Sequence, residues 1–122
     1  MRILLVEDNV LFGDALREHL AAAGWTVTWA TGCSPAVDML RLSTFDLVCL
    51  DRRLPDGDGF DILRSGLISC PTLILSAFDQ LSDALEARRL GASDYVIKPV
   101  NLDAILDRLA ALAMQPAQAR RA

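Results

Sequence analysis

Short apolar runs alternate along this chain with segments whose apolar residues recur every three or four positions. The runs lack the period-two alternation of half-exposed strands, so they predict strands that are covered on both faces, as in a parallel sheet. Five such strands are predicted, at residues 3–6, 25–30, 47–50, 72–75 and 94–97. Right-handed crossovers between them would place helices on both faces of the sheet.

The segments between these runs predict five helices. Helical spacing of apolar residues predicts the first at residues 12–23, and Gly24 is a typical stop signal. Ser34 followed by Pro35 predicts the capped start of the second helix. The remaining helices are predicted around residues 62–63, at residues 82–90 and at residues 102–113. The alternation of strands and helices predicts an α/β protein with a doubly wound, five-stranded parallel sheet.

Length and composition limit the classes of function. The 122 residues fit one domain, and because residues 115–122 carry no apolar stripe, we predict a domain at residues 1–114 followed by a tail or the start of a linker. The net charge of −4 argues against direct nucleic-acid binding by this domain, which needs clustered Lys and Arg. No apolar run could span a bilayer, and the three cysteines form no CxxC pair. We therefore expect a soluble cytoplasmic protein with reduced thiols and no membrane partner.

Four of the predicted strands are followed by polar residues that a buried strand would avoid. Glu7 and Asp8 follow the first strand, Asp51 the third, Ser76 the fourth and Lys98 the fifth. The carboxyl ends of parallel strands lie on one edge of a sheet, where open α/β sheets bind ligands. Carboxylates packed so closely repel one another unless a cation lies among them, and Mg²⁺ typically takes one or two carboxylates together with water and phosphate oxygens. The pattern predicts a metal-assisted phosphoryl-transfer site.

These residues, in this order and at this spacing, resemble the receiver domain of two-component response regulators. The resemblance rests on the Glu7-Asp8 pair, on Asp51 with the Leu-Pro-Asp-Gly-Asp-Gly stretch at residues 54–59, on Ser76-Ala77, and on residues 91–99. It extends over residues 1 to about 113, and the ordered set is a much stronger signal than any single match. The resemblance implies a flavodoxin-like fold with strand order 2-1-3-4-5.

The resemblance assigns a chemical role to each site position. It implies that Asp51 is the phosphoacceptor, which takes a phosphoryl group from a phosphohistidine of a sensor histidine kinase or of a phosphotransfer protein. Asp8, Asp51 and the backbone carbonyl of Arg53 would bind Mg²⁺ directly, and Glu7 would act through water. Lys98 would be a second cation at the phosphoryl oxygens. The only chemistry implied is the phosphorylation and dephosphorylation of the domain itself.

The resemblance also implies a conformational switch. Ser76 would donate its hydroxyl to the phosphoryl group, and Tyr95 resembles the aromatic residue that turns inward when that hydroxyl moves. The fourth helix, the fifth strand and the fifth helix would then present a changed surface to control an output. Asp94 and Arg108 match positions that pair across a dimer face, so we expect a homodimer on phosphorylation. A DNA-binding effector domain would lie outside this sequence.

Two further features come from the same comparison with the family pattern. Arg52 occupies a position that is more often apolar, and with Arg53 it would place two extra positive charges near the acidic site. The Lys98-Pro99 bond is a candidate cis peptide, because proline makes that form accessible.

Three other functions compete with this interpretation. A phosphohydrolase with an aspartyl-phosphate intermediate would need an acid two residues after Asp51, where the chain has Arg53. A flavin-binding electron carrier would need a phosphate loop rich in glycine and hydroxyl groups, whereas Glu7, Asp8 and Asn9 follow the first strand. A phosphorylation-independent, receiver-like protein-interaction module would need none of the site residues, and the complete set argues against it.

Overall fold

The computed structural model describes residues 1–77 and 81–114, in which helices cover both faces of a parallel sheet. In chain order the elements are β1 (Arg2–Val6), α1 (Val10–Ala22), β2 (Thr26–Ala30), α2 (Cys33–Leu42), β3 (Leu47–Asp51), β4 (Arg53–Leu54), β5 (Gly57–Asp58), α3 (Gly59–Arg64), β6 (Thr72–Ser76), α4 (Leu81–Arg89), β7 (Asp94–Ile97) and α5 (Leu102–Ala113).

The main sheet has the strand order β2-β1-β3-β6-β7, and every neighbouring pair is parallel. β4 and β5 form a separate antiparallel ribbon inside the predicted turn-rich stretch, so β6 and β7 are the fourth and fifth strands of the predicted order. The doubly wound, flavodoxin-like α/β fold with five helices is therefore confirmed.

Each face of the sheet carries its own apolar cluster, because successive side chains of a strand point to opposite faces. Leu4 packs in one cluster with Phe60 of α3, whereas Leu5 packs in the other with Leu16 of α1. The central strands β3 and β6 are buried along their whole length. Full burial of one such leucine contributes about 1.5–3 kcal/mol, so the two clusters hold the strand ends rigidly in place.

The strand register brings the predicted site residues to one edge of the sheet. Val6 is in register with Leu50, which places Glu7 beside Asp51. On the other side of β3, the neighbouring strand β6 ends at Ser76 on the same edge. Glu7, Asp51 and Ser76 thus lie at the ends of three buried neighbouring strands.

The start of α2 differs from the prediction. The helix begins at Cys33, and Ser34 lies in its first turn, where its side chain caps nothing. The N–H groups of Cys33 and Ser34 donate to the Asp56 carboxylate at 2.6 and 2.9 Å, and these hydrogen bonds lower the pKa of Asp56. The predicted Ser34 cap is wrong because a carboxylate from a distant turn satisfies the free donors of this helix.

The other predicted helices are present with small shifts at their ends. α4 begins at Leu81 and ends shortly before Gly91, whose φ of +106° is easily reached only without a side chain. α5 has the predicted bounds and is capped by Asn101. The predicted tail, residues 115–122, lies outside the described residues. Within the part that is described, no helix combines the length and the apolar character that a membrane span requires.

Candidate functional site

Glu7 and Asp8 follow β1 but lie in opposite environments. Glu7 is completely buried, and its backbone N–H donates to the Ala30 carbonyl at 3.0 Å, which extends the pairing with β2 by one residue. Asp8 is exposed, and the next residue, Asn9, caps α1 by accepting a hydrogen bond from the Phe12 N–H. The sharp turn between strand and helix therefore presents one buried and one exposed carboxylate.

Asp51 is the last residue of the central strand β3 and is only 6% exposed. Gly59, the first residue of α3, lies against its backbone. The Gly59 N–H donates to the Arg52 carbonyl at 2.6 Å, and a Cβ at Gly59 would overlap the Asp51 carbonyl oxygen. Only glycine permits this close approach, so the start of α3 holds the Asp51 main chain in place.

The carboxylates of Glu7, Asp8 and Asp51 form one cluster, in which one oxygen of each lies within 4.8 Å of the others. Lys98 closes the cluster: its Nζ lies 2.5 Å from Glu7 Oε1 and 3.1 Å from Asp51 Oδ2. With all groups ionised, three carboxylates and one ammonium carry a charge of −3 + 1 = −2. A divalent cation would neutralise this charge, and carboxylate oxygens are ligands that such hard cations prefer.

The sheet holds the main chain at Lys98. Its N–H donates to the Ser76 carbonyl at 2.7 Å, and the Lys98-Pro99 bond is cis, as predicted. The ammonium also lies 4.8 Å from the centroid of the Phe12 ring. Lys98 is the only lysine among the 122 residues, and the other basic residues of the Lys and Arg types are all arginines. The single lysine ammonium of the chain is thus located at this cluster.

Two members of the cluster, Glu7 and Lys98, have raised pKa values. Burial raises the pKa of Glu7, the hydrogen bond with Asp51 raises it further, and the hydrogen bond from Lys98 offsets these effects only in part. Burial lowers the pKa of Lys98, but the hydrogen bond to Glu7 and the negative charge of Asp51 outweigh it, so the Lys98 pKa is raised. The ammonium therefore stays charged, and a further cation would favour the ionised form of Glu7.

Comparison with known proteins decides the family. A family model of the response regulator receiver domain matches residues 3–110. The chain belongs to this family. It is 43% identical over 116 residues to the response regulator protein PmrA of Pseudomonas aeruginosa, and 43% identical over 115 residues to the transcriptional regulatory protein QseB of Escherichia coli O157:H7. Each alignment covers 92% of this chain and 52% of the relative, so the chain spans about half the length of these curated relatives.

Solved receiver domains share the fold described above. The non-phosphorylated receiver domain of HemR from Leptospira biflexa superimposes with a TM-score of 0.85 at 38% identity, covering 94% of this chain and 95% of that one. A response regulator from Burkholderia pseudomallei, whose structure contains a phosphorylated aspartic acid, a calcium ion and citrate, gives a TM-score of 0.83 at 26% identity, covering 99% and 72%. Receiver domains bind a divalent metal at an acidic pocket, and Glu7, Asp8 and Asp51 form such a pocket here.

The structure also places the remaining predicted site residues of the receiver domain. Ser76 is buried at the end of β6, the neighbour of β3. Tyr95 of β7 is half-buried and packs against the apolar cluster that contains Phe60. Arg53 begins β4, two residues after Asp51. The roles that the resemblance assigns to the Ser76 hydroxyl, the Tyr95 ring and the Arg53 carbonyl stay predictions.

Arg52 has partners that the sequence does not reveal. Its Nη1 donates to Asp83 Oδ1 of α4 at 2.7 Å, and its Nε lies 3.5 Å from Asp58 Oδ1. The guanidinium carbon also lies 4.1 Å above the centroid of the Phe60 ring. Two carboxylates thus offset the positive charge that Arg52 was expected to add to the acidic site. Asp83 lies 31 residues further along the chain, and no local pattern links the two.

Asp94 and Arg108, the predicted dimer-face residues, contact each other within one chain. Arg108 Nη1 lies 2.9 Å from Asp94 Oδ2 and 3.2 Å from Oδ1. The Arg108 side chain is 56% exposed, whereas that of Asp94 is only 18% exposed. Asp94 lies on β7 and Arg108 on α5, and their pairing across a dimer face stays a prediction.

Proposed function

We propose that this receiver domain accepts a phosphoryl group on Asp51 from a phosphohistidine of a sensor histidine kinase or a phosphotransfer protein. The supporting observation is the contact of Lys98 Nζ with both Glu7 and Asp51 inside a three-carboxylate cluster. In the transfer, an Asp51 carboxylate oxygen forms a bond to phosphorus while the phosphorus–nitrogen bond breaks, and its electron pair stays on the imidazole. The domain itself is the only phosphorylated product, so it acts as a switch and not as an enzyme with turnover.

Mg²⁺ is the divalent ion in this proposal. Asp8, Asp51 and the backbone carbonyl of Arg53 would hold it directly, and Glu7 would hold it through water. The donor set fits, because it consists of carboxylate and carbonyl oxygens close to the phosphoacceptor. When bound, Mg²⁺ would offset the negative charge on the phosphoryl oxygens. The register of β1 with β3 and the shared contact with Lys98 keep Glu7 close to Asp51 even though their charges repel.

Lys98 and Ser76 would respond to the phosphoryl group. The Lys98 ammonium would exchange its contacts with the carboxylates for a contact with a phosphoryl oxygen. Two unit charges 4 Å apart attract each other by about 4 kcal/mol at an effective dielectric constant of 20, and the lost carboxylate contacts offset part of this attraction. Ser76 would donate its hydroxyl to a second oxygen, and Tyr95 would turn inward. These contacts would favour a pre-existing arrangement of α4, β7 and α5, and a shift from 1:99 to 99:1 needs about 5.5 kcal/mol.

The changed surface would control an output domain. QseB is named a transcriptional regulatory protein, and this chain spans about half of it. We therefore include in the proposal a receiver domain at residues 1–114, followed at residues 115–122 by a C-terminal tail or the start of a linker. A DNA-binding effector domain would lie outside this sequence, and the receiver domain itself would bind no nucleic acid. A homodimer on phosphorylation, with Asp94 and Arg108 at its face, is also proposed. The three free cysteines support a cytoplasmic location.

Intact-protein mass spectrometry after incubation with acetyl phosphate and Mg²⁺ tests the proposal. The wild type should gain one PO₃ unit, and Asp51→Asn should gain none. Asp38→Asn removes an exposed carboxylate of α2 outside the cluster and should be labelled like the wild type. Labelling of Asp51→Asn would contradict the choice of nucleophile. An unlabelled wild type would instead favour a phosphorylation-independent interaction module.

A further inference from the structure

The indole of Trp29 is hydrogen-bonded to the main chain of the acidic pair. Trp29 lies on the edge strand β2, and its Nε1 donates to the Glu7 carbonyl oxygen at 2.9 Å. The Glu7 N–H donates to the carbonyl of the next residue of β2, Ala30, at 3.0 Å. Two adjacent residues of β2 therefore hold both backbone polar groups of Glu7.

The oxygen that accepts the indole hydrogen bond belongs to the peptide group that joins Glu7 to Asp8. Because a peptide group is planar, fixing its oxygen also fixes the plane that contains the N–H and Cα of Asp8. The directions in which the two carboxylates leave the main chain depend on that plane. One hydrogen bond thus constrains both acids, although the indole touches neither carboxylate.

Gly13 of α1 leaves the space that the indole occupies. A Cβ at Gly13 would overlap Cζ2 and Cε2 of Trp29, and the Gly13 N–H donates to the Asn9 carbonyl in the first turn of the helix. Glycine inside a helix is unfavourable relative to alanine, and here it permits the ring to lie against the helix backbone. The ring therefore fills the corner between β2, the Glu7-Asp8 peptide and the start of α1.

We propose that Trp29 is a positioning residue for the metal-binding carboxylates of Glu7 and Asp8. This inference rests on the metal site of the proposed function and adds to it a residue that contacts neither metal nor phosphoryl group. Replacing a residue that orients metal ligands typically weakens metal affinity by about 10–100-fold. Loss of the indole N–H should therefore raise the dissociation constant for Mg²⁺ about tenfold, the lower end of that range, because it acts through the main chain.

Calorimetric titration with Mg²⁺ alone tests this role in two matched variants, Trp29→Phe and Trp25→Phe. Trp25 is also half-buried and packs against the apolar cluster of α1 and α5, but it lies at the opposite end of β2. Trp29→Phe should bind Mg²⁺ about tenfold more weakly, and Trp25→Phe should keep the wild-type affinity. Equal Mg²⁺ affinity in the wild type and Trp29→Phe overturns the inference, even if Trp29→Phe unfolds at a lower urea concentration. A wild type that binds no Mg²⁺ overturns the proposed metal site as well.

Fluorescence of the same variants gives a second readout, because the chain has two tryptophans and each variant retains one. In Trp25→Phe, the emission of Trp29 should change on Mg²⁺ addition, since the metal acts on the peptide that accepts its hydrogen bond. In Trp29→Phe, the emission of Trp25 should not change. Gly13→Ala should displace the ring while keeping its N–H, and so reproduce the weaker binding. Constant Trp29 emission in Trp25→Phe, which leaves the indole of Trp29 and its acceptor Glu7 unchanged, overturns the inference even where Trp29→Phe does not fold.

Discussion

Two cationic side chains flank Asp51, the proposed phosphoacceptor, and each contacts two carboxylates. Lys98 contacts Asp51 itself and the buried Glu7, whereas Arg52 contacts two aspartates on the other side of the strand end. The two cationic side chains are almost equally exposed, at 22% and 21%. The difference lies in the acids, because the Lys98 cluster has an excess of buried negative charge and the acids around Arg52 are partly exposed.

This difference indicates two separate uses of an ion pair. The ammonium of Lys98 is a compact charge on a flexible stem, and a phosphoryl group could take over its contacts. The guanidinium of Arg52 is fixed by an ion pair to α4 and by the Phe60 ring, so it connects the end of β3 to a helix of the proposed output surface. We therefore expect substitutions at Lys98 or Glu7 to change metal binding, pH dependence and switching. Substitutions at Arg52 should change stability alone.

The largest effect is expected for Lys98→Met, which removes the ammonium between Glu7 and Asp51. Removing one partner of a buried ion pair typically costs 3–5 kcal/mol, and partial exposure of Lys98 places it at the lower end. The free energy of unfolding from urea denaturation at pH 8 should therefore fall by about 3 kcal/mol. We expect beryllium fluoride to change the oligomeric state of the wild type, and this change should be lost in the variant.

Lys98→Arg is the matched control, because it keeps the positive charge and changes its shape. It should recover most of the lost stability, yet it should respond poorly to beryllium fluoride because a planar guanidinium cannot replace a compact ammonium.

Since Lys98 is the only lysine, carbon-13 reductive methylation would label this side chain and the N-terminus alone, and the NMR signal of Lys98 should shift on phosphorylation. Unchanged stability in Lys98→Met would contradict the contrast between the two clusters.

Glu7→Gln should produce the next largest effect, and the size of this effect depends on pH. The Glu7 pKa is raised above 4.5 in the folded protein, so between pH 4.5 and the folded pKa the native state binds more protons than the unfolded state. The stability of the metal-free wild type should therefore decrease as pH rises through this window. Glu7→Gln lacks the titration, so its free energy of unfolding should match that of the wild type near pH 4.5 and exceed it at pH 8.

Thermal unfolding across this pH range, with and without Mg²⁺, would measure the effect. Glu18→Gln alters an exposed glutamate of α1, and its unfolding temperature should differ from that of the wild type by the same amount at every pH. Saturating Mg²⁺ should reduce or reverse the advantage of Glu7→Gln, because a ligand that binds only the folded state stabilises the better binder more. A stability difference that stays constant with pH would show that burial of the Glu7 charge does not destabilise the fold.

The acidic cluster could be predicted from sequence because its members directly follow apolar strands. Once the strands are parallel, topology alone brings Asp8, Asp51 and Lys98 to one edge, and the cis bond at Lys98-Pro99 followed from the family resemblance. The strand order also followed from the resemblance, whereas the continuous apolar runs predicted only that the strands are covered on both faces.

Contacts between elements distant in sequence could not be predicted in this way. The pairing of Arg52 with Asp83 depends on the rotation of α4, which no local pattern records. The hydrogen bond of Trp29 is accepted by a backbone oxygen, and the sequence does not show which backbone oxygen a side chain contacts. The only related feature of the sequence is Gly13 inside α1, which leaves space for the ring. The Ser34 cap was wrongly predicted for the same reason, because its competitor was the carboxylate of a distant turn.

A smaller effect is expected in a double-mutant cycle of Arg52→Met and Asp83→Asn. Exposed ion pairs contribute about 0.2–1 kcal/mol, and the partial burial of both side chains places this pair near the top of that range. Urea denaturation of the four proteins should therefore give a coupling energy of about 1 kcal/mol. Mg²⁺ affinity and labelling by acetyl phosphate should match the wild type in all four, and a loss of either would show that Arg52 also acts on the acidic site.

The smallest effect is expected at Asp94 and Arg108. Because the Arg108 side chain is mostly exposed, a double-mutant cycle on the unphosphorylated monomer should give a coupling of about 0.5 kcal/mol that decreases with salt. The pair would contribute more if, on phosphorylation, Asp94 of one copy contacted Arg108 of a second copy instead of Arg108 of its own chain. In a twofold dimer, each residue of one copy would then face its partner residue on the other copy, and both contacts would be equivalent.

Charge reversal separates these two cases. Asp94→Arg would place arginine against Arg108 at both dimer contacts, and Arg108→Asp would place aspartate against Asp94, so neither variant should dimerise alone with beryllium fluoride and Mg²⁺. In an equimolar mixture, each copy supplies the charge that the other lacks at both contacts, so a heterodimer should form and should be visible by native mass spectrometry. A mixture that stays monomeric would show that the ion pair remains within one chain, as in the structure. The charge pair would then resemble Arg52 in stabilising the fold, and unlike Lys98 it would take no part in switching.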